Sequence, residues 1–237
     1  MEATSQLRRV LNVVPHGKEY TVVANLPKNS VSLAVQAEQA GADAILMNVD
    51  GEDGNYSGHF GSYDLHDAYI NDALSTVSIP CGIGIGGAKP LTEEYWERIM
   101  STQFSFVEMY AHQMPLFVMS DDRVKKVVAI ATGYILEQVK ELSRQEGVDA
   151  LDVAIVPPQA RGNPFSALDY STLHLISELS ARPLLLRTQK RLTPGDVGRV
   201  LKLGVKGLVV DPCILSGTDE TYKEELAGLV SRRPGPE

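Results

Sequence analysis

The chain is poor in cysteine, aromatics and positive charge. Cys81 and Cys213 are its only cysteines, Trp96 its only tryptophan, and aromatics make up 6% of it. The two cysteines make no metal or redox spacing, so reduced thiols and a cytoplasmic location are expected. No run reaches the ~18 apolar residues of a membrane helix. The opening MEATSQLRRVLNVV lacks the apolar core of a signal peptide. No membrane contact is expected. Lys and Arg number 22 against 30 Asp and Glu, for a net charge of −8 and a pI near 5.2. That balance argues against nucleic acid as a partner, while leaving room for a local basic site. No linker, low-complexity segment or short repeat divides the chain, so one domain over 1–237 is expected.

What is present is a rhythm of apolar runs and amphipathic stretches. Strands are expected at 20–24, 43–49, 79–85, 104–110, 124–131, 150–156, 183–187 and 207–210. DAILMNV at 43–49 is nearly all apolar, as befits a strand covered on both faces. Helices are expected between the strands. One is capped by Asn29 or Ser30, one runs over 63–74, and one is opened by Thr92. A short irregular one falls in 113–122, where Met114, Leu116, Phe117, Val118 and Met119 suit the core or an oligomer contact. The helix at 134–145 carries Ile135, Leu136, Val139 and Leu142 on one stripe, with Gly147 as its stop. The helix at 167–180 is expected to bury Leu175, Ile176 and Leu179. Thr193 caps another, with Pro194 at its first position and Asp196 three residues after the cap. A last helix spans 219–230. An extra N-terminal helix is capped by Thr4, with Leu7, Val10, Leu11 and Val14 on one face.

Strands that alternate with helices are parallel, with right-handed crossovers. Eight such units in 237 residues predict an α/β fold, a single (β/α)8 TIM barrel of the usual ~250 residues. An open doubly wound sheet is the alternative.

In such a barrel, chemistry sits where strands end and loops begin on the C-terminal face. Glu108 and Tyr110 are two apart and share a side of their strand. A Glu within the apolar run FSFVEMY needs a partner or a purpose. Burial would raise its pKa toward the range a proton-transfer base needs. Asp50 and Asn48 share a face by the same parity, with Asp50 a second acid/base candidate or the start of a loop. His112 is a candidate acid opposite Glu108, and His59 a weaker one. His59, His66, Asp64 and His112 have no diagnostic ligand spacing, so no metal is expected. Lys28 and Arg161 are candidate anion contacts. Lys190 and Arg191 precede the helix starting near Pro194, whose N-terminal amides favour an anion. Asn48 and Asp211, at the ends of the second and eighth strands, are further candidate substrate contacts. The glycine-rich loop 51–62 is a candidate lid or specificity loop.

The layout of strands seven and eight, together with GADAILMN, resembles the phosphate-binding TIM barrels of the ribulose-phosphate-binding superfamily. HFGSYDL at 59–65 is similar to the loop after strand two in indole-glycerol-phosphate synthase. Asp50-Gly51 resembles a strand end of ribulose-phosphate epimerase. The resemblance implies an isomerase, epimerase or carbon-carbon lyase/synthase for a small anionic, phosphorylated metabolite. The departures are specific. Strand seven ends in Thr188-Gln189-Lys190-Arg191 and strand eight in Asp211-Pro212-Cys213, where the family has glycine pairs, and TVVANLP lacks the synthase lysine. No redox cofactor is expected. A flavin-mononucleotide-dependent oxidoreductase and a non-catalytic binding or assembly barrel are the alternatives, and a homo-oligomer is expected.

Overall fold

The computed structural model describes residues 7–12, 20–51, 60–87, 89–215 and 219–231. Thr4, Val14, His59 and the tail at 232–237 lie outside them. Eight parallel strands close into a barrel in simple sequential order. Each strand is followed by a helix: β1 (Thr21–Asn25), α1 (Val31–Gln39), β2 (Ala44–Val49), α2 (Tyr63–Thr76), β3 (Cys81–Ile85), α3 (Glu93–Met100), β4 (Phe106–Tyr110), α4 (Leu116–Met119), β5 (Lys125–Ala131), α5 (Leu136–Leu142), β6 (Ala150–Ala154), α6 (Ala167–Leu179), β7 (Leu184–Arg187), α7 (Pro194–Lys202), β8 (Gly207–Val210) and α8 (Tyr222–Val230). The expected (β/α)8 barrel is therefore the fold. Among the described residues, no helix is long and apolar enough to cross a membrane.

Strand parity sorts the residues. One set of each strand packs outward on the helices in the large core, with Val22, Ile45, Met47, Ile83, Val107, Val128, Val153, Leu186 and Leu208 among its members. The other set fills the barrel. Its lower part is apolar: Val23, Leu46, Phe106, Val127, Leu185 and Val209. Leu7, Val10 and Leu11 of the N-terminal helical turn belong to the same cluster and plug the bottom. Phe106 fills the centre because Gly82 makes room for it. A Cβ on Gly82 would lie 2.3 Å from the Phe106 ring. Gly82→Ala is therefore expected to cost about 1–3 kcal/mol of stability through overpacking. Urea unfolding, followed by the fluorescence of buried Trp96, measures it.

Local signals behave as their chemistry requires. Thr193 and Asp196 form a reciprocal capping box ahead of Pro194, and Gly147 stops its segment at φ +83. Two expectations are corrected. Ile135 precedes α5 as its cap and is 58% exposed. In α6 the buried residues are Leu173 and Ile176, which leaves Leu175 50% exposed on the opposite stripe. In the 113–122 segment Val118 is buried and Met114, Phe117 and Met119 pack on the core, while Leu116 is 73% exposed.

Candidate active site at the barrel mouth

Above its apolar floor the barrel interior turns polar. Four strands contribute charged groups there: Glu108 from β4, Asp152 from β6, Arg187 from β7 and Asp211 just past β8. All are buried. Arg187 organises them. Its Nε donates to Asp152 Oδ2 at 2.7 Å. Its Nη2 donates to Glu108 Oε1 and lies 2.7 Å from Asp152 Oδ2. Its Nη1 is 3.6 Å from Asp211 Oδ2. Asp211 Oδ1 accepts from the Cys213 amide at 2.9 Å, and the Asp211 amide donates to Thr188 Oγ1 at 3.0 Å. The strand-eight aspartate thus points at an arginine and at its own turn.

Three carboxylates face one guanidinium without bulk water. Burial raises the Glu108 carboxyl to about 8, with Arg187 opposing and the Asp152 and Asp211 charges adding to the rise. Burial raises Asp152 as well, again against Arg187. Burial also works against the charge on Arg187, but Asp152, Glu108 and Asp211 outweigh it and hold its pKa well above the ordinary value. Crowding three carboxylates around one guanidinium favours proton uptake by the group, and burial favours it on Glu108.

Tyr110 stands one inward step above Glu108. Burial pushes its phenol up to about 12; Arg187 and Arg161 oppose the rise, and Asp152 and Glu108 add to it. Arg161 therefore lies within electrostatic reach of the mouth. Its loop is pinned: Gly162 N–H donates to Gln189 O at 2.9 Å, Arg191 N–H to Asn163 O at 3.0 Å and Phe165 N–H to Arg191 O at 3.2 Å. Phe60, from the loop after β2, packs with Tyr110, Ala129 and Ala154 over the mouth.

Other candidate residues are placed elsewhere. Asp50 has a left-handed backbone at φ 51. Its Oδ2 accepts from Tyr95 Oη of α3 at 2.7 Å. Burial raises its pKa and Tyr95 opposes the rise. Asn48 stays inside the barrel and donates to Asn25 Oδ1 at 2.7 Å, while Asn29 bonds both the Asn48 amide and carbonyl. The face that strand parity would give Asp50 and Asn48 in common is broken by that left-handed turn. His112 is exposed; its Nδ1 is 2.6 Å from Tyr134 Oη and its ring 5.6 Å from that of Tyr110. Lys28 pairs with Asp219 at 2.6 Å in the open. Lys190 reaches Asp169 of α6 at 2.6 Å. It lines a water-sized space of about 20 Å³ between β6, β7 and α6, among the outward-facing Val153 and Leu186. Arg191 is exposed. The N-terminus of α7 already carries its own carboxylate, since Asp196 Oδ2 accepts from the Thr193 amide at 2.9 Å. Among the described residues, no group of three His, Cys, Asp or Glu is arranged to hold a metal ion.

Arg187 and Asp152 were not among the expected site residues. The signal for both was present: a charge inside an apolar run, LDVAI or LLLR, of the kind that singled out Glu108.

The fold and this mouth define a class, a (β/α)8 barrel with a charged, buried upper interior. No protein-family model matches the chain, and no curated protein matches it by sequence. Solved structures match in fold. Phosphoribosyl anthranilate isomerase from Thermus thermophilus superposes with a TM-score of 0.63 at 14% identity, over 90% of this chain and 100% of that one. Thiamine phosphate pyrophosphorylase from Pyrococcus furiosus gives 0.59 at 17%, over 97% and 100%. A FabK mutant from Thermotoga maritima gives 0.63 at 13%, over 93% of this chain and 70% of that one. The resemblance to phosphate-binding TIM barrels is borne out as architecture, and these neighbours are TIM-barrel proteins of several kinds.

Proposed function

We propose that the chain is an enzyme of the isomerase or lyase class that moves a proton on a small anionic metabolite at the C-terminal face of the barrel. One observation carries this: a fully buried Glu108 whose pKa is raised to about 8 and which is held by Arg187. A carboxylate poised near neutrality can remove a proton next to a carbonyl and return it. Glu108 takes the proton, the C–H electron pair moves into the carbonyl as an enolate, and the same group reprotonates the carbon. Arg161 is the cation we assign to the metabolite's anionic group and to the enolate charge. Phe60 and Tyr110 limit water at the reacting carbon.

The reading includes no redox cofactor, because strand ends seven and eight offer side chains where a flavin phosphate would need glycine amides. It places the enzyme in the cytoplasm, in keeping with free Cys81 and Cys213. A homo-oligomer is part of it, resting on exposed Leu116, Ile135 and Leu168 on adjacent units.

The test is isotope exchange. Incubation of the protein in D2O with a panel of small hydroxy- and keto-acids and sugar phosphates should wash deuterium into one of them, read by NMR. The rate should rise with pH through about 8, following ionisation of Glu108. Glu108→Gln should bring exchange to background. Exchange that persists in Glu108→Gln would remove the assignment.

A further inference from the structure

A carboxylate beside an arginine ordinarily makes a poor base. The cation stabilises the ionised form and pulls the pKa down, so Glu108 paired with Arg187 alone would be ionised and weakly basic. The barrel gives the guanidinium a second claimant. Arg187 Nη2 donates to Glu108 Oε1, and the same nitrogen lies 2.7 Å from Asp152 Oδ2. Arg187 Nε donates to that same aspartate oxygen at 2.7 Å. Asp152 thus engages two nitrogens of the guanidinium, and Glu108 shares one of them.

Asp152 and Asp211 differ in what else they hold. Asp211 Oδ1 accepts from the Cys213 amide at 2.9 Å and so braces its own turn, while its Oδ2 is 3.6 Å from Arg187 Nη1. Asp152 lies in the middle of β6 and is 0% exposed. Its Oδ2 is bound by Arg187, and its Oδ1 has no partner among the described residues. A buried carboxylate oxygen without a donor is destabilising. Glu108 alone would neutralise one guanidinium, so charge balance does not call for Asp152. Its physical effect falls on its neighbour.

The other groups around Glu108 do not replace it. The register neighbours, Gly84 on β3 and Val127 on β5, are uncharged. Arg187, Asp152, Asp211 and Tyr110 are the titratable groups that face Glu108 at the mouth, and Arg161 acts on Tyr110 from the loop after β6. Burial is the largest cause of the raised Glu108 pKa; Arg187 opposes it, and Asp152 leads the two carboxylates that add to it.

We propose that Asp152 is a positioning residue for the base: it fixes the Arg187 guanidinium from the β6 side and takes up its charge, so that the arginine aims Glu108 without becoming its full counter-ion. This rests on the acid/base reading of Glu108 and deepens it.

The experiment titrates carboxyl carbons in the whole protein by ¹³C NMR. With glutamate side-chain carboxyls labelled, the Glu108 signal is identified by its loss in Glu108→Gln, and in the parent it should titrate near 8. Asp152→Asn keeps an oxygen for Arg187 Nε and removes the charge. It should move the Glu108 midpoint down by at least about one pH unit, as expected for a unit charge a few ångströms away even at a high effective dielectric. The pH profile of deuterium exchange should shift down with it. A merely structural Asp152 would lower the unfolding midpoint and leave the Glu108 titration in place; that result, or an upward shift, would overturn the proposal. The parent supplies a check independent of how the variant folds. With aspartate carboxyls labelled, the Asp152 signal, assigned through its bonds to the Val153 amide, should show an inflection at the Glu108 midpoint, and a signal flat through that pH would also overturn it. A parent Glu108 midpoint in the ordinary carboxylate range would instead remove the acid/base reading, whereas the difference between parent and Asp152→Asn tests Asp152 from whatever value the parent starts.

Discussion

Arg187→Met is expected to destabilise the barrel by about 3–5 kcal/mol near neutral pH, the usual effect of removing one partner from a buried ionic group. Methionine approximates the length of the side chain without its charge. The loss therefore falls on Glu108, Asp152 and Asp211, which are left facing each other at the mouth. Two features separate this from a packing defect. The loss should shrink on acidification, as the stranded carboxyls take up protons. It should also be largely recovered by adding Glu108→Gln and Asp152→Asn, because the one carboxylate then left, Asp211, is already held by the Cys213 amide and needs the guanidinium less. Urea midpoints at pH 5 and pH 8 for the single and triple variants decide the matter. A loss that is the same at both pH values and unrelieved in the triple variant would make Arg187 a space-filler.

How much of this was legible follows from strand parity. Apolar runs, capping pairs and glycine stops are local, so the eight units could be read along the chain. Glu108 was found because a carboxylate inside FSFVEMY is costly unless something answers it. Asp152 and Arg187 obey the same rule, but Asp152 lies inside its strand and Arg187 is the last residue of its own, whereas attention to the turn beyond strand seven favoured Lys190 and Arg191. Parity separates these cations too: Arg187 faces the barrel, and Lys190 faces the helices, where Asp169 meets it. The pairing of the 157–164 loop with the turn after β7 could not be read, since it joins segments far apart in sequence through backbone bonds. Nor could the left-handed backbone of Asp50, because Asp-Gly is compatible with several turn geometries. The family resemblance pointed correctly to the architecture. The missing glycine pairs were equally informative, because the structure answers them with a mouth built from side chains.

Stability is expected to fall as pH rises from about 5 to about 8. An unfolded Glu titrates near 4.5, and folded Glu108 near 8. Between these values the folded state keeps a proton that the unfolded state releases, so raising the pH favours unfolding. The slope for one proton is at most about 1.4 kcal/mol per pH unit, giving on the order of a few kcal/mol across the window. Asp152, also raised, acts in the same direction. Lowered groups such as Asp121 and Asp196 act in the opposite sense, and only below the ordinary carboxylate range. Above pH 8 the curve flattens. Glu108→Gln should remove most of the slope, matching the parent near pH 5 and exceeding it above pH 8. Denaturant midpoints taken every half pH unit test this, and a parent whose stability stays level from pH 5 to 8 would refute the raised pKa. The same proton links stability to the proposed chemistry: the ionised Glu108 that would act as a base is also the form the folded barrel holds least well. An enzyme of this design gains reactivity through the ionisation that weakens its fold, and Arg187 is what keeps that ionised form within the folded state.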